Sequence, residues 1–262
     1  MASIFELEVN KNAESAYKEK KYSLPLIISM SFTRIFLFLL FQFIFFIVFK
    51  MSNVQSPWQQ STYWWPFVVT IANVICVILL NMLLKRENKR YWNFFVFDKK
   101  TVLKDSFMSL GLLLLCIPVA NIPFILLGNA LFGDYMGAVN LFIRPLPIWA
   151  AWTAFMIFPL TMLFGELTTY FGYVMPRLEI ITRNKWFSLF LPAIMLSFQH
   201  AALPLIFDPR FIVWRLFMFL PFAIVIGFVV RWKPKLLPYF LIGHFLLDLT
   251  TAFQILSVSI AK

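Results

Sequence analysis

Seven stretches of about twenty apolar residues recur along the chain, at 25–49, 62–84, 106–128, 147–173, 187–206, 211–230 and 235–258. A bilayer core of roughly 30 Å is crossed by about 20 residues at a rise of about 1.5 Å each. Lipid offers backbone N–H and C=O groups no partner, so each stretch must satisfy its own as a helix. No ten-residue alternating pattern of the kind that builds a membrane β-barrel is present. The expected fold class is therefore all-α, a polytopic transmembrane helical bundle of about seven spans, seven or eight. Composition agrees: the chain is 61% hydrophobic and 13% charged, against roughly 45–50% and 25% in soluble domains. A mean hydropathy of +0.81 also excludes disorder, which needs low hydrophobicity. Residues 1–24 read as a basic tail and 25–262 as one transmembrane domain, without internal repeat, low-complexity tract or separating linker. Prolines at 118, 123, 159, 192, 204 and 221 are expected to kink their helices.

The placement of positive charge sets the expected orientation, because loops rich in Lys and Arg stay on the cytoplasmic side. The tail carries Lys11, Lys18, Lys20 and Lys21, and the loop after the second stretch carries seven more between Lys85 and Lys104. Arg177, Arg183 and Lys185 follow the fourth stretch; Arg231, Lys233 and Lys235 follow the sixth. The other side has only Lys50, Arg144, Arg210 and Lys262. The N-terminus is therefore expected in the cytoplasm and the first stretch, too long for a signal peptide and ending Phe-Lys, is expected to be an uncleaved helix. The net charge of +11 punctuates apolar runs instead of gathering on a face, which argues against nucleic acid. Cys76 and Cys116 sit inside apolar runs and read as small hydrophobes. Tyr91 to Phe97, aromatic and next to a basic cluster, is expected along the inner interface.

An ionisable group inside a span costs several kcal/mol and demands a partner, a cavity or a function. Six qualify: Arg34, Glu166, His200, Arg215, His244 and Asp248. Arg34 and Arg215 sit within about three turns of a span end and are expected to snorkel as structural residues. The other four come from the fourth, fifth and seventh stretches. His244 and Asp248 are four residues apart and share a helical face, so the carboxylate is placed to fix the imidazole tautomer. Counted from the cytoplasmic end, Glu166 and His244 lie about 10–14 Å deep and His200 and Asp248 about 20 Å, so all four can meet in one cavity. A buried carboxylate beside imidazoles suits a general base for water, an imidazole paired with a carboxylate suits an oxyanion donor, and Glu166, His200 and His244 also suit a zinc shell. Two further readings stay open on these residues: a polar cluster that bonds helices together, and a proton relay in a transporter.

Three segments carry a resemblance. Gly165-Glu166-Leu167 runs on through Gly172, Tyr173, Pro176, Arg177 and Leu178; then come Ser197-Phe-Gln-His200 and His244-Phe-Leu-Leu-Asp248. In order and separation, over about 145–258, they resemble the CAAX-protease and bacteriocin-processing (CPBP, or Abi) family of intramembrane endopeptidases, whose signature is Glu-Glu-x-x-x-Arg, then Phe-x-x-x-His, then His-x-x-x-Asn or Asp. The chain departs from it at Leu167, Phe171 and Leu196, where the family has its second Glu, its Arg and a Phe. Positions 167 and 171 are four apart, so an apolar pair stands where the family's ion pair faces itself, a double replacement that buried sites tolerate.

The resemblance implies an enzyme: a membrane endopeptidase that cleaves a peptide bond in a membrane-associated, lipidated or hydrophobic peptide or protein. It assigns Glu166 as general base, His200 as a holder of the water, and His244 with Asp248 as support for the oxyanion. It leaves zinc undecided, with Glu166, His200 and His244 as the ligands in that case. A catalytically inactive relative serving bacteriocin self-immunity or scaffolding is the alternative, ahead of a transporter. The compact chain and plain topology suit a multi-pass protein of a bacterial plasma or inner membrane, whose partners are the bilayer and a membrane-embedded substrate and not nucleic acid.

Overall fold

The computed structural model describes residues 14–19 and 21–262, so Lys11 and Lys20 of the basic tail lie outside the described residues. The chain is 84% helical, and no strand occurs among the described residues. Among the described residues, six helical stretches are long and apolar enough to cross a membrane. They are built from α1 (Leu24–Met51), α3 (Trp65–Arg86), α4 (Val102–Phe132), α6 with α7 (Ile148–Leu167 and Met175–Thr182), α9 with α10 (Pro209–Phe217 and Leu220–Trp232) and α11 (Leu237–Ile260). The short α2 (Pro57–Tyr63) and α5 (Tyr135–Phe142) connect them at one end. Helix α6 is the axis of the bundle, packed most closely on α11 and α3, while α4 buries almost nothing and lies at the periphery.

The fifth expected stretch departs from the sequence reading. Its helix, α8 (Lys185–Phe198), has 14 residues, about 21 Å, and then tightens into the 3-10 turn Gln199–Ala202 and an irregular segment. Pro204 has no N–H to continue a helix, and the carbonyls set free are taken by side chains from elsewhere. Arg215 Nε donates to the His200 carbonyl at 2.8 Å and its Nη2 to that of Leu203. Gln42 Nε2 donates to the Leu205 carbonyl at 2.9 Å, and Leu205 N donates back to Gln42 Oε1 at 2.7 Å. Irregular backbone at this depth is thus wrapped in protein, the condition under which lipid surroundings tolerate it. The segment still runs the length of the bundle, since Phe207 stacks on Trp58 at the far end with ring centroids 4.9 Å apart.

The prolines are accommodated with little disruption. Pro118, Pro123, Pro159 and Pro192 sit inside continuous helices. Pro221 occupies the first turn of α10, where a missing N–H has no partner to lose.

Between α6 and α7 the helix widens into a π stretch, Thr168–Val174. The Thr168 and Thr169 hydroxyls donate back to the Phe164 and Gly165 carbonyls four residues earlier, the latter at 2.6 Å, a bond that competes with regular winding. Tyr91, in the 3-10 turn Tyr91–Phe95, donates its hydroxyl to the same Phe164 carbonyl at 2.5 Å. The aromatic loop therefore packs its first ring into the bundle. Leu167, Phe171 and Leu196, the three departures from the family signature, are all buried in one apolar cluster.

The basic segments gather at one end. Ion pairs join them across the loops: Arg177 to Glu87, Arg231 to Glu179 and Lys235 to Asp105.

Candidate functional site

Glu166 is the penultimate residue of α6, two positions before the π stretch, and is buried. Its two oxygens are met from three other segments. His244 Nε2, on α11, donates to Oε1 at 2.7 Å. Gln199 Nε2, in the 3-10 turn, donates to Oε2 at 2.7 Å, and Arg34 Nη2, from α1, reaches the same oxygen at 3.2 Å. Arg34 also donates through Nε to Gln199 Oε1 at 2.6 Å and through Nη1 to Asn73 Oδ1 on α3. Tyr170 completes the network, its hydroxyl donating to Gln199 Oε1 at 3.2 Å. Gly165 lets α3 come this close, because a Cβ there would collide with the Asn73 side chain.

Arg34 corrects the sequence expectation. It lies ten residues into α1, about 15 Å deep, with 0% of its surface exposed, so its guanidinium faces the carboxylate and does not snorkel. Arg215 does not snorkel either. It is buried against the Phe142 ring, 4.8 Å from its centroid, and caps the carbonyl end of the α8 segment through His200 and Leu203, where a cation is favoured.

The four residues expected to converge do line one cavity of about 690 Å3, together with Gln199 and Arg215. His244 and Asp248 face each other as the four-residue spacing predicts, but at 3.6 Å between Nδ1 and Oδ2, outside hydrogen-bond length. Neither atom has a hydrogen-bond partner among the described residues. His200 points its Nδ1 at its own helix, donating to the Leu196 carbonyl at 2.9 Å with that of Ser197 at 3.2 Å. Its Nε2 lone pair therefore has no protein partner among the described residues. Glu166 accepts three bonds, and a carboxylate has about four lone-pair sites, so one remains on Oε1.

The zinc shell that the sequence left undecided does not fit. Among the described residues no three His, Cys, Asp or Glu side chains stand close enough to share an ion, and a guanidinium already sits against Glu166. Exposed Thr250, Phe253 and Gln254 of α11 line the cavity's rim, so it opens along that helix to the outside of the bundle, beside α4. Sequence reasoning named Arg34 but left it out of the site, and it missed Asn73 and Gln199. The signal for each was a lone polar residue in an apolar run, and for Gln199 its place beside His200.

No family model matches the chain, and neither a curated protein nor a solved structure matches it.

Proposed function

We propose that the chain is an intramembrane endopeptidase, with its N-terminus on the cytoplasmic side, that hydrolyses a peptide bond in a hydrophobic or lipidated segment entering from the bilayer. The observation that carries this reading is the meeting of Glu166, His200 and His244 at one cavity open along α11. A water bound there donates one proton to the free lone pair of Glu166 Oε1 and the other to His200 Nε2, which leaves its oxygen lone pair for the scissile carbonyl. Attack moves a proton to Glu166. Collapse of the tetrahedral intermediate breaks the C–N bond, and Glu166 returns the proton to the departing amine, as a general base turned acid does. The resemblance gives His244 the oxyanion, but its Nε2 is engaged with Glu166, so His244 positions the base. The second N–H of the Gln199 amide is the donor left for the oxyanion.

The purified, reconstituted full-length protein is expected to cleave a hydrophobic or lipidated reporter peptide, to be insensitive to metal chelators, and to lose cleavage on Glu166→Gln. Cleavage that survives Glu166→Gln overturns the assignment. One observation favours a second reading, a non-catalytic relative: the Arg34 bridge and two further bonds hold Glu166 as a helix-bonding device would. That reading predicts no cleavage by the native protein and a loss of stability in the same variant.

A further inference from the structure

A second cavity, of about 1000 Å3, opens at the basic end of the bundle. It is bounded by the C-terminal ends of α3, α7 and α10 and the first turn of α11. The ends of apolar spanning helices lie at the level of the lipid headgroups, and exposed Tyr17 and Trp232 on its rim are the rings that prefer that level. Its floor is apolar, formed by Leu84, Phe94, Phe171, Met175, Val230 and Leu237.

The walls carry more cations than carboxylates can neutralise. Arg177 is held by Glu87 through two bonds, of 2.7 and 2.5 Å, and Arg231 by Glu179 through two, of 3.0 and 2.7 Å. Lys235 is held by Asp105 at 2.8 Å, and exposed Lys18 stands 3.7 Å from Glu14. Arg90 and Arg183 have no ion pair among the described residues. Lys89 is the most telling of the set. Its side chain is only 15% exposed and its ammonium lies 3.7 Å from Glu87 Oε2, too far for a hydrogen bond, because Arg177 has already taken both Glu87 oxygens. Burial and the Arg177 charge push its pKa down to about 8. Its ammonium thus lines an electropositive space with no hydrogen-bond acceptor among the described residues, a setting that suits an anion. Basic pockets between spanning helices on the cytoplasmic side suit phosphate-bearing headgroups, and that leaflet is the anionic one.

We propose that this cavity binds the phosphate of an anionic phospholipid, with Lys89, Arg90 and Arg183 donating to the phosphate and the apolar floor seating the glycerol and upper acyl chains. The site is separate from Glu166 and stands whether or not the protein cleaves peptides. The test uses the full-length protein in nanodiscs of phosphatidylcholine, alone or mixed with phosphatidylglycerol, with retained lipid read by native mass spectrometry. Phosphatidylglycerol is expected to be retained preferentially, and Lys89→Gln, Arg90→Gln and Arg183→Gln are each expected to weaken that retention about five-fold. Arg90 and Arg183 are exposed, so their variants test the site in a folded protein even where Lys89→Gln disturbs packing. Lys99→Gln with Lys100→Gln, exposed outside the cavity, is expected to change nothing. Inorganic phosphate added to the protein in detergent separates the sources: failure to displace the lipid supports the headgroup, and competition with loss of binding in the same variants supports a free phosphate in the same site. No preference for phosphatidylglycerol together with no phosphate binding, or an equal loss in the Lys99/Lys100 pair, overturns the proposal.

Discussion

The middle of the bundle and its basic end use the same side chains under different rules. At Glu166, one carboxylate, one guanidinium and one imidazole are matched within one network, and both partners of the Arg34–Glu166 pair are at most 3% exposed. At the other end the Arg231–Glu179 pair is about a third exposed, with 30% and 32% of its side chains open, and Lys89, Arg90 and Arg183 have no hydrogen-bonded carboxylate among the described residues. An unmatched charge in hydrocarbon costs several kcal/mol, whereas at the interface water and headgroups can answer it. Charge surplus is therefore affordable only where it can recruit a counter-ion, and the core must be closed upon itself.

The largest expected effect tests the closed network as chemistry. Glu166→Gln keeps the shape and the amide can still meet Arg34 or His244, yet turnover of a reporter peptide is expected to fall at least about 100-fold, the usual share of a general base. Next comes Arg34→Met, which strands the buried carboxylate. Unfolding in detergent is expected to show a loss of about 3–5 kcal/mol, most of it recovered in the double variant with Glu166→Gln. If Arg34→Met is instead harmless, the contrast between the two regions is wrong. Arg177→Met is intermediate: Glu87 is equally buried, but Lys89 stands 3.7 Å away to take over, and a loss of about 1–3 kcal/mol is expected by the same measurement. The smallest effect belongs to Arg231→Gln, under about 1 kcal/mol, as for exposed pairs generally, and weaker still at high salt.

Much of this arrangement was legible in the sequence, for reasons that individual residues make plain. Apolar length marked seven stretches, and six of them are spanning-length helical stretches among the described residues, because lipid leaves backbone no alternative. Glu166, His200, His244 and Asp248 stood out because ionisable groups in apolar runs are rare, and counting depth brought them together. Counting left Arg34 within a long side chain's reach of the interface, and its pairing with Glu166 was hidden because the two lie 132 residues apart. Asn73 and Gln199 were silent because uncharged amides are cheap enough in a span to pass as helix-bonding groups. The early end of α8 was also hidden, since Gln42 and Arg215 secure its open carbonyls from distant points in the chain.

The widened turn at Thr168–Val174 sets the angular phase between the buried carboxylate at Glu166 and the Arg177 guanidinium beyond it. Each residue in a regular helix advances the facing direction by about 100°. Deleting one residue of that stretch would restore even winding only by swinging either the Glu166 side or the Arg177 side off its partners. The bulge thus acts as a splice that lets one helix serve two differently aimed appointments, one in oil and one at the shoreline.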